Sequence, residues 1–179
     1  MSKTILKTER ILLRKFEDSD ALAVFEFGSN KEVQRYTGEP LLTHLEQARD
    51  IIVNTIQKDY VKYGYGRWAV VYRPENRVIG FAGLKYLPEF DETDIGYRIL
   101  PEYWGKGITT EMCIPIVSYG FDVLKLDKII GITLPENTAS IRVLEKIGLK
   151  FQKITSYDDS IDEVKWYELL RSDYLKEQL

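Results

Sequence analysis

The sequence holds one cysteine, Cys113, and one histidine, His44, in 179 residues. A lone cysteine excludes an internal disulfide and suits a reducing compartment. A lone histidine leaves no histidine cluster, so no metal site is expected. No apolar run approaches the roughly 18 residues of a membrane span. The opening stretch from Met1 to Lys7 lacks the apolar core of a signal peptide. A cytoplasmic protein with no membrane partner is expected. Lys and Arg number 25 against 28 Asp and Glu, they are scattered, and the net charge is -3. That balance lacks the basic stripe of a nucleic-acid binder. There is no internal repeat, linker or low-complexity segment, so one domain over residues 1–179 is expected.

What is present is an alternation of hydrophobic periods. Ile11 to Phe16 suits a first strand, and Asp18 to Asp20 supply N-cap residues for a helix through Leu22, Val24, Phe25 and Phe27. Gly28-Ser29-Asn30 ends it, and Lys31 to Tyr36 can add a further turn. Leu45, Ala48, Ile51, Ile52, Thr55, Ile56 and Tyr60 recur at steps of three and four, the period of a helix. Thr43 and Glu46 have the capping-box spacing for its start. Arg67 to Tyr72, Arg77 to Leu84 and Thr93 to Ile99 read as three antiparallel strands joined by turns. A helix from Ile108 to about Leu124, a buried strand Lys128 to Leu134 and a helix carrying Ile141, Leu144 and Ile147 follow. Gly148 suits a left-handed C-cap, and Phe151 to Ser156 and Val164 to Leu170 close the chain as strands. The order predicts an α/β fold, a mixed, mostly antiparallel sheet of about seven strands with helices on both faces. The helix after Ile99 is a crossover, so the strands around Ile95 and Ile130 should run parallel.

The segment Pro101-Glu102-Tyr103-Trp104-Gly105-Lys106-Gly107-Ile108-Thr109-Thr110-Glu111 joins a strand to a helix N-terminus. Its glycines permit positive φ and close approach of a ligand. The amides of Gly107, Ile108 and Thr109 converge where the helix dipole favours an anion, and a phosphate or pyrophosphate is the natural occupant. No Gly-x-x-x-x-Gly-Lys-Ser/Thr string exists, and Thr110 stands where a dinucleotide fingerprint needs its third glycine. A plain tight turn is the competing reading of the loop by itself.

Trp104-Gly105-Lys106-Gly107-Ile108-Thr109 resembles the Gln/Arg-x-x-Gly-x-Gly/Ala signature of the GNAT superfamily of N-acetyltransferases, with Trp104 and Thr109 departing from the strict form. Thr8 to Arg14 with Asp18 to Ala21, and Asn137 to Leu149, are similar to the opening and closing motifs of its ribosomal-protein N-terminal acetyltransferase branch. The resemblance implies acetyl-CoA as cosubstrate, a splayed parallel strand pair and an amine acceptor, with a peptide or protein α-amine favoured over a small molecule. It leaves monomer and homodimer open. It assigns the pantetheine arm to the backbone of Tyr97, Ile99 and Leu100, and the pyrophosphate to the loop from Trp104 through Lys106 to Thr109. Asn137 is implied as a pantetheine contact, a role compatible with an ordinary N-cap. Ser140 is implied as the donor to the departing thiolate, because Leu144 stands where many relatives carry an acidic tyrosine. Glu92 and Asp94 are the candidate bases, solvated turn carboxylates being the other reading of each. An inactive CoA-binding module is the alternative function, kept open by Leu144 and Thr109.

Overall fold

The structure, a computed structural model, describes residues 3–157 and 163–176; Met1 and Ser2 of the opening stretch lie outside them. Eight strands form one sheet in the order β1-β2-β3-β4-β5-β6-β8-β7. They are β1 (Thr4–Lys7), β2 (Ile11–Arg14), β3 (Arg67–Tyr72), β4 (Arg77–Leu87), β5 (Glu92–Ile99), β6 (Lys128–Thr133), β7 (Lys150–Thr155) and β8 (Val164–Leu170). Neighbours are antiparallel except β5 and β6, which are parallel. The expected crossover is therefore present, made by a helix of the right length. The strand count is eight, not about seven. The additional strand, β1, is a four-residue edge with two half-buried apolar side chains, too short to announce itself by alternation.

The helices are α1 (Ala21–Gly28), α2 (Lys31–Gln34), α3 (Leu45–Ile51), α4 (Gln57–Tyr63), α5 (Ile108–Asp122), α6 (Thr138–Lys146) and α7 (Arg171–Lys176). A π-helical turn, Ile52–Ile56, joins α3 to α4, so residues 45–63 run as one bent rod. Gly64 at φ 81° and Gly148 at φ 95° close α4 and the turn after α6 in the left-handed conformation that suits glycine. The start of α3 corrects the expected cap. His44, not Thr43, is the N-cap, and Gln47 Oε1 accepts the amides of Thr43 at 2.7 Å and His44 at 3.0 Å. Glu46 instead turns toward Arg49 at 3.6 Å. A cap competes for whichever side chain reaches back, and Gln47 lies one residue better placed.

Helices cover both faces because side chains alternate along each strand. On β4, Phe81 meets Phe27 of α1 edge-on at 5.9 Å. Leu84, three residues on, points to the opposite face, where a Cβ on Gly120 of α5 would come within 2.9 Å of it. Gly131 of β6 lies on this second face, and its missing side chain lets Leu144 of α6 sit directly on the strand. Leu144 is fully buried there, so the position contributes packing and no acid-base group.

Candidate active site

The parallel pair β5 and β6 registers at one position, Asp94 with Ile130. By contrast β4 and β5 pair at eight consecutive positions. Beyond Asp94 the two parallel strands part, and a cavity of about 1120 Å³ passes through the opening. On the α5 and α6 face it is lined by Tyr97, Gly105, Gly107, Asn137 and Ser140. On the α1 and α2 face it is lined by Glu39, Phe81, Lys85, Asp94 and Arg98. One ligand can thus reach the opening from each side of the sheet.

The glycine loop lies at the rim on the α5 side. Gly105 at φ 71° and Gly107 at φ 74° are both left-handed. Gly105 has no heavy atom within 4 Å of where a Cβ would be, so the cradle is open backbone. Gly107 is the N-cap of α5, and its carbonyl takes the amide of Glu111 at 3.0 Å. The amides of Ile108, Thr109 and Thr110 precede the first such bond and are free of the helix ladder. Three free amides at a helix end, reached over the glycine backbone of Gly105 and Gly107, fit a diphosphate.

What holds this loop was not read from the sequence. Arg10, in the turn between β1 and β2, donates to Lys106 O at 2.9 Å and to Glu111 Oε2 from Nε at 2.7 Å. Glu111 Oε1 accepts from Thr8 Oγ1 at 2.6 Å and from the Arg10 amide at 3.0 Å. Burial pushes the Glu111 carboxyl up, but these three donors and the Arg10 charge outweigh it and hold it below its ordinary value. The opening motif Thr8-Glu9-Arg10 therefore clamps the loop from the far end of the chain. The motif itself was visible; its partner was not, since it lies about a hundred residues away.

The three backbone contacts expected along β5 separate. The Leu100 amide donates to Ile79 O at 2.9 Å, across to β4. Antiparallel residues alternate between facing one neighbour and the other, so Leu100 faces away from the opening while Tyr97 and Ile99 face into it. The Ile99 carbonyl accepts the Trp104 indole N–H at 2.7 Å. What Ile99 offers to the opening is its N–H. Trp104 thus fastens the loop to the end of β5.

On the opposite rim, Asn137 caps α6, its Oδ1 accepting the Ser140 amide at 3.1 Å. The cap leaves the carboxamide N–H groups of Asn137 at the cavity wall. The Tyr97 phenol lies 3.0 Å from Ser140 Oγ and 3.1 Å from Ser140 O. Burial pushes the Tyr97 phenol well above its ordinary value, so it stays neutral and can donate to Ser140, by its carbonyl or its hydroxyl. The sequence named Tyr97 for its backbone; its side chain is the partner of Ser140.

The two candidate bases fare differently. Glu92 begins β5 on the far side of the Asp94 pair from the opening, bound to Lys128, which also sits 3.5 Å from Glu168. It does not line the cavity. Asp94 does line it, but is buried and engaged at both oxygens. Oδ2 pairs with Arg67, and Oδ1 accepts the Ile132 amide at 3.3 Å. Burial raises the Asp94 carboxyl above its ordinary value, with Arg67 pulling against that. Cys113 is buried, and burial pushes its thiol far up, which leaves it a core residue and not a nucleophile. Among the described residues no cluster of His, Cys, Asp or Glu could hold a metal, and no helix is long and apolar enough to cross a membrane.

A sheet parted at a parallel pair, with a glycine loop at a helix N-terminus on one rim and a capped helix on the other, is the architecture of an acyltransferase of the GNAT kind. Residues 10–150 match the family model described as the acetyltransferase (GNAT) domain. YoaA of Bacillus subtilis, named as an N-acetyltransferase, is 35% identical over 88% of this chain and 94% of its own length. A GNAT-family acetyltransferase structure from Bacillus anthracis superposes with a TM-score of 0.80 at 31% identity, covering 93% of this chain and 98% of that one. A ribosomal L7/L12 alpha-N-protein acetyltransferase in complex with coenzyme A shares the fold at a TM-score of 0.79 and 16% identity, covering 96% and 99%. The chain belongs to the GNAT acetyltransferases.

Proposed function

We propose that this protein transfers the acetyl group of acetyl-CoA to a primary amine by direct attack, with a peptide or protein α-amine as the favoured acceptor and a small-molecule amine as the alternative. The observation that carries this is the opening between β5 and β6, with the glycine cradle on one side of the sheet and a separate lined entrance on the other. Acetyl-CoA supplies the activated acyl thioester. The open backbone from Gly105 to Thr109 is the support for its diphosphate, with Trp104 and Lys106 fixing the loop. Tyr97 and the Ile99 N–H, with Asn137 opposite, are suited to the pantetheine amides.

Ser140 stands in the first turn of α6, backed by the Tyr97 phenol, and donates a hydrogen bond or proton to the leaving thiolate. With Glu92 outside the cavity and Asp94 engaged, no carboxylate of β5 is free to serve as a dedicated base. An α-amine, with a pKa near 8, is neutral often enough near pH 7 to lose its proton through water, whereas a lysine amine near 10.4 is not. This chemistry favours the α-amine acceptor.

The experiment is thiol release from acetyl-CoA with purified protein and a panel of N-terminal peptides, amino acids, polyamines and lysine peptides, beside calorimetry with CoA. Turnover concentrated on α-amines supports the reading. CoA binding without any turnover would favour the inactive module, and no CoA binding would sink the proposal. Arg10→Ala provides a further check. Removing a charge-assisted clamp of the loop should raise KM for acetyl-CoA by about 10-fold with kcat nearly unchanged. Steady-state kinetics at varied acetyl-CoA decide it, and an unchanged KM would remove Arg10 from cofactor binding.

A further inference from the structure

We infer that Asp94, Arg67 and Gly96 form a wedge that ends the β5–β6 ladder and so holds open the gap in which chemistry is proposed to occur; Asp94 is a positioning residue. In a parallel pair that matches Asp94 with Ile130, the next rung would match Gly96 with Ile132 and would give the Ile132 N–H to Ile95 O. That N–H is instead taken by Asp94 Oδ1 at 3.3 Å. The side chain of the last paired residue has captured the donor that the following rung needs. The two strands have no further registered pair.

The carboxylate is held in this post by Arg67 of β3. Its guanidinium pairs with Asp94 Oδ2, donates to Asp94 O at 3.0 Å, and donates to the Gly83 carbonyl. It lies flat on β5 because Gly96 has no side chain. A Cβ there would stand 2.3 Å from Arg67 Nη2 and 2.6 Å from its Cζ. Gly96 is the residue that the missing rung would have paired. Wedge and missing rung thus coincide at one place in the sheet.

The chemistry of the pair supports a geometric role. Asp94 and Arg67 have side chains only 11% and 15% exposed. A buried ion pair is commonly no better for stability than well-packed apolar side chains. Here the pair has a second task, which apolar side chains could not do, because the Ile132 N–H needs an acceptor that is not the neighbouring strand. A carboxylate with one oxygen on a guanidinium and one on an amide is also poorly placed to take a proton from a substrate.

The consequence for turnover rests on the acetyltransferase reading; the strand geometry does not. The test uses Asp94→Ala, Gly96→Ala and Asp94→Asn, with crystal structures, CoA calorimetry and pH–rate profiles for each beside the wild type. In Asp94→Ala and Gly96→Ala the Ile132 amide is expected to reach Ile95 O at about 2.9 Å, the ordinary ladder distance. CoA affinity should fall, and kcat/KM should drop by about 100-fold, the scale of an ångström misplacement at a reacting centre. Asp94→Asn keeps one acceptor oxygen for Ile132 and gives up the Arg67 pair, its NH2 now facing the guanidinium; it should keep the strands apart and the shape of the pH profile. Gly96→Ala leaves both charges in place and has no proton chemistry of its own, so it carries the test if Asp94→Ala does not fold. Strands that stay apart in Gly96→Ala, with CoA bound as in the wild type, would overturn the wedge. Loss of a pH limb in Asp94→Asn with the strands still apart would overturn the positioning role and make Asp94 the base. A wild type that fails to bind CoA would sink the acetyltransferase reading and leave the strand result standing.

Discussion

Ser140→Ala is expected to lower kcat by about 100-fold, the low end for loss of a positioned acid, while the Kd for CoA stays within about twofold. The structure explains why such a variant should fold. The α6 cap runs through the Ser140 backbone amide and Asn137 Oδ1, which alanine preserves. The Tyr97 phenol keeps an acceptor as well, because the Ser140 carbonyl lies 3.1 Å from it. No buried polar atom is orphaned, so lost turnover would report on chemistry and not on collapse of the helix end. Thiol release under saturating acetyl-CoA, with calorimetry for CoA, measures the two quantities separately. Unchanged kcat would remove Ser140 from the reaction. Loss confined to binding would make it a cofactor contact.

Arg67→Ala is expected to have the largest effect on stability, about 3–5 kcal/mol at neutral pH, since it leaves a buried carboxylate without its counter-ion. The dependence on pH has a definite sign. Asp94 already titrates above its ordinary value in the folded protein, burial being the first cause. The folded state therefore holds this proton at pH values where the unfolded chain has released it. Its contribution to stability is most favourable below the unfolded pKa and is lost as pH rises through the folded one. Without Arg67 the folded value moves higher still. The deficit of Arg67→Ala should accordingly shrink as pH is lowered toward the ordinary carboxylate range. Urea denaturation of wild type and variant from pH 4 to pH 8 reads this directly. A deficit that stays constant or grows on acidification would mean that Asp94 is not left charged and alone.

These two residues mark where sequence reading stopped. Ser140 was legible because its place depends on local facts: an Asn three residues earlier, a helix period after it, and Leu144 where an acidic tyrosine would stand. Its partner Tyr97 lies 43 residues away, and nothing in the spacing joins a β5 side chain to the first turn of α6. Asp94 lines the opening but is engaged at both oxygens, where the sequence suggests a candidate base or a solvated carboxylate. An acidic residue at a strand start reads as a solvated base until Arg67, 27 residues upstream, is brought against it. Glu92 likewise has a partner hidden from the sequence, Lys128.

By itself the sequence determined the order of elements from β2 to β8, the crossover that makes β5 and β6 parallel, and the glycine turn at the head of α5. Each of these follows from periodicity and backbone freedom within a few residues. The alternating strand residues likewise called for helices on both faces. Tertiary structure alone decided which backbone groups of β5 look into the opening, that Trp104 occupies the Ile99 carbonyl, that Arg10 clamps the loop, and that Asp94 interrupts the ladder. All but the Trp104 contact, which spans five residues of one loop, depend on which strands become neighbours and in what register. Long-range packing fixes that register, because a shift of one residue would turn every side chain to the other face of the sheet.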